Sequence, residues 1–323
     1  MRLLVTGGAG FIGSNFVRML CRGELTGITS LKILDKLTYA GRRENLPEAS
    51  CISDYSFHHG DICDSEIVTE LISEVDAVIN FAAESHVDRS ISGSADFIQA
   101  NIVGVRVLLD AINATGRDIR FLQISTDEVY GSIETGSWTE ESPLEPNSPY
   151  SASKAGGELL VRSYHKTHNL DTVITRCSNN YGTHHFPEKL IPLFITNLLE
   201  GKKVPVYGTG RNVRDWLHVD DHCRGIFKVL MNGRSGQIYN IGGGQELTNI
   251  EITKLLLTAM GADESSIEYV EDRKGHDLRY SVDWTKIRVE LDYQPQVNFE
   301  DGLNQTIKWY QDNQKWWQPL KSK

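Results

Sequence analysis

Nowhere in the 323 residues is there an apolar run long enough to cross a bilayer, and the amino terminus lacks the pattern of a secretory signal. The expectation is a cytoplasmic protein with no membrane partner. Cysteine is scarce: Cys21, Cys51, Cys63, Cys177 and Cys223 are odd in number, scattered, and form no C-x-x-C pair. A reducing compartment without a disulfide framework or zinc site follows. The pairs His58-His59 and His184-His185 are adjacent rather than four apart, so no metal site is expected. A net charge of -10 with no basic run excludes a nucleic-acid surface, because phosphates would go unneutralised. Internal repeats and low-complexity segments are also missing.

What is present suits a globular chain of about two domains, at roughly 100 to 200 residues each. The acidic balance carries a corollary. If the ligands bear phosphates, their site must be locally positive, which singles out Lys189, Arg214 and Arg273.

The chain begins with a short buried-strand pattern that runs into glycines and then into a helical stretch. Both G-x-x-G-x-x-G (Gly7, Gly10, Gly13) and G-x-G-x-x-G (Gly8, Gly10, Gly13) can be read there. Glycine permits the turn, lets backbone amides approach a pyrophosphate, and allows close packing of helix on strand. A second apolar run, 31–34, ends in Asp35 at about the twenty-residue distance expected of a ribose-binding carboxylate. A carboxylate there repels a 2′-phosphate, so NAD is expected over NADP, a preference that neighbouring Lys36 weakens without reversing.

Strand patterns at 55–59, 76–83 and 171–175 alternate with helical ones at 65–73, 94–114 and 148–168. That order predicts an α/β fold: a doubly wound parallel sheet with a second, smaller mixed α/β domain. Residues 1–175, joined by part of 210–245, form the expected dinucleotide domain, and 176–323 the substrate domain. Gly7, Asp35, Asp61, Ala83 and Thr126 all fall at predicted strand ends, where such sheets bind ligands.

Tyr150 and Lys154 are four apart in a helical stretch and so share one face. A cation beside a phenol favours the phenolate, which makes a base. In Ser125-Thr126-Asp127-Glu128 the two acids cannot both serve one pocket from a straight strand. The strand is therefore expected to end near Ser125, with both acids on the turn beyond it.

At these motifs the chain resembles the extended short-chain dehydrogenase/reductases, and among them the dTDP-glucose 4,6-dehydratases. The similarity runs almost end to end: Gly7 to Gly13, the segments 35–41, 81–90 and 125–131, the Tyr150/Lys154 pair, and the segments 179–182, 186–190, 214–217 and 272–276. It departs at Thr183-His184, Lys274 and Ala100. The resemblance implies that Phe11, Ile12, Asp35, Lys36, Leu37, Thr38, Asp61, Ile62, Phe81, Ala82, Ala83, Ser85, Tyr150, Lys154 and Asn180 line NAD beside Gly7, Gly10 and Gly13. It implies that Ser85, Thr126, Asn179, Lys189, Leu190, Pro205, Val206, Tyr207, Arg214, Asn249, Asp272, Arg273 and His276 line a sugar nucleotide.

The expected chemistry is a redox-neutral elimination. Tyr150, aided by Lys154, takes the proton of the sugar 4-hydroxyl, which Thr126 positions, and C4 gives up hydride. Glu128 removes the C5 proton, Asp127 protonates the departing C6 hydroxyl, and hydride returns to C6. The alternatives are a nucleotide-sugar 4-epimerase or decarboxylase, or a non-catalytic NAD-binding regulator. The resemblance also implies a homodimer paired through the helices at 94–114 and 148–168.

Overall fold

The computed structural model describes residues 1–47 and 52–321, and strands alternate with helices along most of it. In chain order the strands are β1 (Arg2–Thr6), β2 (Ser30–Asp35), β3 (Asp54–His59), β4 (Ala77–Asn80), β5 (Arg120–Thr126), β6 (Thr172–Cys177), β7 (Asn179–Tyr181), β8 (Val204–Tyr207), β9 (Val213–His218), β10 (Ile238–Ile241), β11 (Glu246–Thr248) and β12 (Ile267–Val270). Seven of them form one sheet in the order β3-β2-β1-β4-β5-β6-β10, with every neighbouring pair parallel. Strands β4 and β6 are buried along their whole length, as a sheet covered on both faces requires.

Helices Phe11–Cys21 and Val219–Asn232 cover one face, around Leu3, Val5, Phe16, Ile33 and Ile226. Helices Ser65–Ser73 and Val105–Thr115 cover the other, around Leu4, Val68, Val78, Leu108 and Phe121. Strand order reverses between β1 and β4, which opens a crevice at their carboxyl ends. A buried polar ladder fixes the centre of the sheet: Thr6 Oγ1 donates to Asn80 Oδ1 at 2.6 Å, and Asn80 Nδ2 donates to Gln123 Oε1 at 2.9 Å.

The remaining strands make a three-stranded sheet, β11-β9-β7, and the pair β12-β8. Helices Leu190–Leu199, Asn249–Ala259 and Phe299–Asp312 pack there around Phe194, Leu256 and Ile307. The carboxyl-terminal tryptophans pack too: the Trp309 ring lies tilted by 42° against His184 with centroids 4.3 Å apart, and Trp317 Nε1 donates to Tyr310 O at 2.8 Å.

Four expectations change. Helix Val219–Asn232 was not anticipated, because buried polar residues blur its period: Asp221 accepts from Val297 N at 2.8 Å, and Asn15 Nδ2 donates to Asp220 at 2.8 Å. Strand β6 runs two residues past the strand pattern at 171–175, to Cys177, and β7 follows it. The single helix expected at 94–114 is interrupted by a π turn, Gln99–Gly104, between Ala95–Ile98 and Val105–Thr115. The turn carries Asn101, whose side chain accepts from Glu84 N at 3.0 Å and donates to Glu84 O at 3.0 Å and to Ser153 Oγ at 2.8 Å. Such turns recur beside functional sites, and this one fixes the chain leaving β4. Finally, Cys21 is disulfide-bonded, while Cys63, Cys177 and Cys223 are free. Cys51 lies outside the described residues.

Candidate active site

At the crevice between β1 and β4 lies a cavity of about 820 Å³. Its floor is the glycine turn. Gly7 has φ +66°, and a Cβ there would collide with the backbone of Ala82; one at Gly13 would strike the Gly7 carbonyl. Gly7, Gly10 and Gly13 line the cavity and Gly8 does not, which selects the first of the two glycine registers. Only glycine allows this close packing of turn against strand and helix, and the first turn of helix Phe11–Cys21 opens into the cavity.

Asp35 ends β2 at the same edge. Its carboxylate accepts the Ala9 and Leu37 N–H groups, each at 2.8 Å, against a burial that raises its pKa. Lys36 is held at 2.8 Å by Asp61, so its charge is spent locally. Ile12, Thr38, Ile62, Phe81, Ala82, Ala83 and Asn180 complete this wall.

Strand β5 runs through Thr126, and a 3-10 turn, Asp127–Tyr130, follows it. Thr126 Oγ1 caps that turn by accepting from Glu128 N at 3.3 Å, and donates to Asp127 Oδ1 at 3.2 Å. Both acids thereby face the cavity. The turn is anchored from behind: Tyr130 OH donates to Asn240 Oδ1 at 2.8 Å and accepts from Arg176 Nη1 at 2.7 Å, while Arg176 pairs with Glu158 at 2.5 Å.

Helix Pro149–His168 starts with Ser148 in a capping box and places Tyr150 in its first turn. Ser90 Oγ accepts the Tyr150 N–H at 3.1 Å. Burial, then the Glu128 charge, push the phenol well above its ordinary range, opposite to the lowering expected from a neighbouring Lys154, and a hydrogen bond with Thr126 pulls it part of the way down. Lys154 does share the helix face, but its Nζ donates to Ile124 O at 2.7 Å, an acceptor that helical spacing cannot reveal. Burial brings this ammonium down to about 8.

The two acids differ in surroundings. Burial raises both carboxyls; Asp127 then faces the charges of Glu128 and Asp215 and is driven well above the carboxylate range, with Arg214 opposing. Glu128 faces Lys189, Arg214 and Arg273, all of which pull it down. Glu128 therefore loses its proton first, and its charge helps Asp127 keep one. Asp127 Oδ2 is buried without a hydrogen-bond partner among the described residues.

The three cations singled out by charge thus converge on one carboxyl in an acidic protein. Lys189 Nζ donates to Ser85 O at 2.8 Å, Arg214 lies over the Tyr280 ring at 4.3 Å, and Arg273 pairs with Asp88 at 2.6 Å. Asn179, Leu190, Pro205, Val206, Tyr207, Asn249 and His276 also line this half; Asn179 Oδ1 and Asn249 Oδ1 are buried without partners among the described residues.

Two expected residues stand behind the lining. Leu37, at φ 52°, contributes its N–H to Asp35, and Asp272 holds His276 Nδ1 at 2.6 Å. Several lining residues were not anticipated, among them Tyr39, His86, Arg89, His185, Glu188 and Tyr280. Only their arrival from separate strands brings them together.

A profile of the GDP-mannose 4,6-dehydratase family matches residues 4–306. A dTDP-glucose 4,6-dehydratase from an Actinoplanes species is 57% identical over 321 residues, covering 98% of this chain and all of that protein. The crystal structure of a dTDP-glucose 4,6-dehydratase from Streptomyces venezuelae with NAD bound matches with a TM-score of 0.97 at 57% identity, over 99% of this chain and 100% of that one. A UDP-glucose 4-epimerase from Thermotoga maritima matches with a TM-score of 0.89 at 30% identity, over 97% and 100%.

Proposed function

The chain belongs to the GDP-mannose 4,6-dehydratase family of extended short-chain dehydrogenase/reductases, and from that membership we propose that it converts dTDP-glucose to dTDP-4-keto-6-deoxyglucose with NAD as resident cofactor. It is a lyase. The observation that carries the reading is the unequal pair Asp127 and Glu128 on the same cavity as Tyr150 and the glycine turn. A nucleotide-sugar oxidoreductase needs the phenol and the glycines, whereas expelling water also needs an acid and a base held in opposite protonation states.

The residues fit NAD. The Cβ-free cradle of Gly7, Gly10 and Gly13 suits a pyrophosphate at a helix amino terminus, and Asp35 suits a ribose diol. When bound, NAD supplies the acceptor for hydride from C4 and the donor of hydride to C6. We assign this group to the 1–175 part with the returning segment within 210–245, and the sugar nucleotide mainly to 176–323.

The protein's part is proton handling. Burial keeps the phenol of Tyr150 protonated near neutral pH, so Tyr150 Oη takes the proton of the 4-hydroxyl as the phenolate, the form that the Lys154 charge on the same helix face and the Thr126 hydrogen bond favour. Once C4 is a ketone, the C5 proton is acidified, and the Glu128 carboxylate removes it. Asp127 delivers its retained proton to the C6 oxygen, which leaves as water. Lys189, Arg214 and Arg273 keep Glu128 ionised and offer charge to the diphosphate. A homodimer is proposed through the helices at 95–115 and 149–168, which leave Ile98 and Leu159 exposed, and sedimentation at twice the chain mass is the expected result.

The test is incubation of the purified protein with dTDP-glucose and other nucleoside diphosphate sugars, with product masses read directly. Loss of one water from dTDP-glucose, with solvent deuterium at C5 and no added reductant, is expected. A product of unchanged mass with C5 untouched would instead indicate 4-epimerisation.

A further inference from the structure

Glu188 formed no part of the site expected from sequence, yet it lines the cavity and ties three of its walls. Its Oε1 accepts the Tyr39 hydroxyl at 2.8 Å, and its Oε2 accepts Arg89 Nη2 at 3.1 Å. The Arg89 guanidinium lies over the Tyr39 ring at 3.7 Å, and Phe186 meets that ring edge-on at 5.3 Å. His86 Nε2 stands 3.5 Å from Glu188 Oε2, but burial holds the imidazole at about 4, so the ring is neutral near pH 7 and Arg89 supplies the countercharge.

These contacts join segments that leave three different strands. Tyr39 follows β2 and Asp35, Arg89 follows β4, and Glu188 follows β7. The material of the joint matters. A wall needed only for stability is served as well by apolar packing, since withdrawing charges from water is costly. A wall of hydrogen-bonded charges, with the Arg89 side chain half exposed and that of Glu188 at 14%, can part into water and close again. Position matters as well: Asp35, whose orientation is set by the Leu37 N–H, lies four residues before Tyr39.

We propose that Glu188, with Tyr39 and Arg89, is the clasp that retains the dinucleotide between removal of hydride at C4 and its return at C6. The inference rests on the redox-neutral reading above, in which a hydride carrier that left early would strand a ketone still bearing its C6 hydroxyl. Glu188 acts as a positioning residue: it closes the wall and touches no reacting atom.

The test uses holoenzyme loaded with radiolabelled NAD, diluted into excess unlabelled NAD, with the label left on the protein followed over time. Glu188→Gln removes the charge, and the nearly isosteric Tyr39→Phe removes one hydroxyl. Each is expected to speed exchange roughly tenfold or more, as loss of a hydrogen bond to a charged group implies. During turnover without added NAD, both variants should release free NADH and decay, and added NAD should restore them. Wild-type exchange rates in the two folded variants would overturn the clasp. Exchange is measured without sugar substrate, so failure of the wild type to dehydrate dTDP-glucose would sink the functional reading while leaving the clasp decided by its own result.

Discussion

Replacing Asp127 by asparagine separates the two halves of the proposed reaction. The side chain is buried, takes a hydrogen bond from Thr126 at 3.2 Å, and leaves Oδ2 without a partner among the described residues. Asparagine matches its shape and keeps the Thr126 contact but has no proton to give. Reduction of the bound cofactor should therefore proceed at close to the normal rate, while water loss slows by about 10² to 10⁴, the usual worth of a placed general acid. The pH dependence supplies a second, independent readout. If Asp127 is neutral in the working enzyme, the change exchanges one neutral group for another, and the Glu128 titration barely moves. Were Asp127 ionised, its charge a few ångströms from Glu128 would be worth roughly 4 kcal/mol at an effective dielectric near 20. That is about three pKa units, and Glu128 in the variant would titrate lower by that much. Rapid quenching with mass detection gives the dehydration rate, and solvent-deuterium exchange at C5 gives the Glu128 profile. An unslowed dehydration, or a large acidward shift of the exchange profile, refutes the assignment of acid and base.

Tyr150→Phe should abolish the early absorbance of reduced cofactor, since the 4-hydroxyl then has no base; normal appearance of that signal removes Tyr150 from its role. Lys154 has its folded pKa depressed from 10.5 to about 8 by burial, so its charge is present below about pH 8 and lost above it. Hydride transfer should fall above pH 8, and Lys154→Arg should carry the plateau higher; a flat wild-type profile from pH 7 to about 9.5 would contradict this. The unfolded chain binds that proton more tightly, so burying Lys154 is a stability cost below pH 8 that is relieved as pH rises toward 10.5. Glu158→Ala leaves Arg176, 1% exposed, with the Tyr130 hydroxyl as its remaining side-chain partner, and should cost about 3 to 5 kcal/mol in urea unfolding. A loss under about 1 kcal/mol would show that water reaches the guanidinium.

The parts of this molecule legible in its sequence are those whose signal is local. A buried strand is a continuous apolar run, the β1 turn is a run of glycines, and the end of β5 follows from two acids that alternate strand faces would otherwise separate. The parts that were not legible depend on groups far apart in the chain. Helix Val219–Asn232 hides its period because Asp221 is buried against Val297, and the π turn at 99–104 exists where Asn101 reaches Glu84. Lys154 illustrates the boundary well: spacing puts it on the face of Tyr150, but only the approach of β5 hands it the Ile124 carbonyl. The acid–base split lies just across that boundary. Charge alone nominated Lys189, Arg214 and Arg273, and the Asp127-Glu128 pair was visible, but nothing in the order of residues says which acid the cations face. Their convergence on Glu128 makes two adjacent carboxyls unequal. An exchange of roles, with Asp127 as base, would require the same three cations to lie nearer Asp127, and Asp215 beside Asp127 works in the opposite sense.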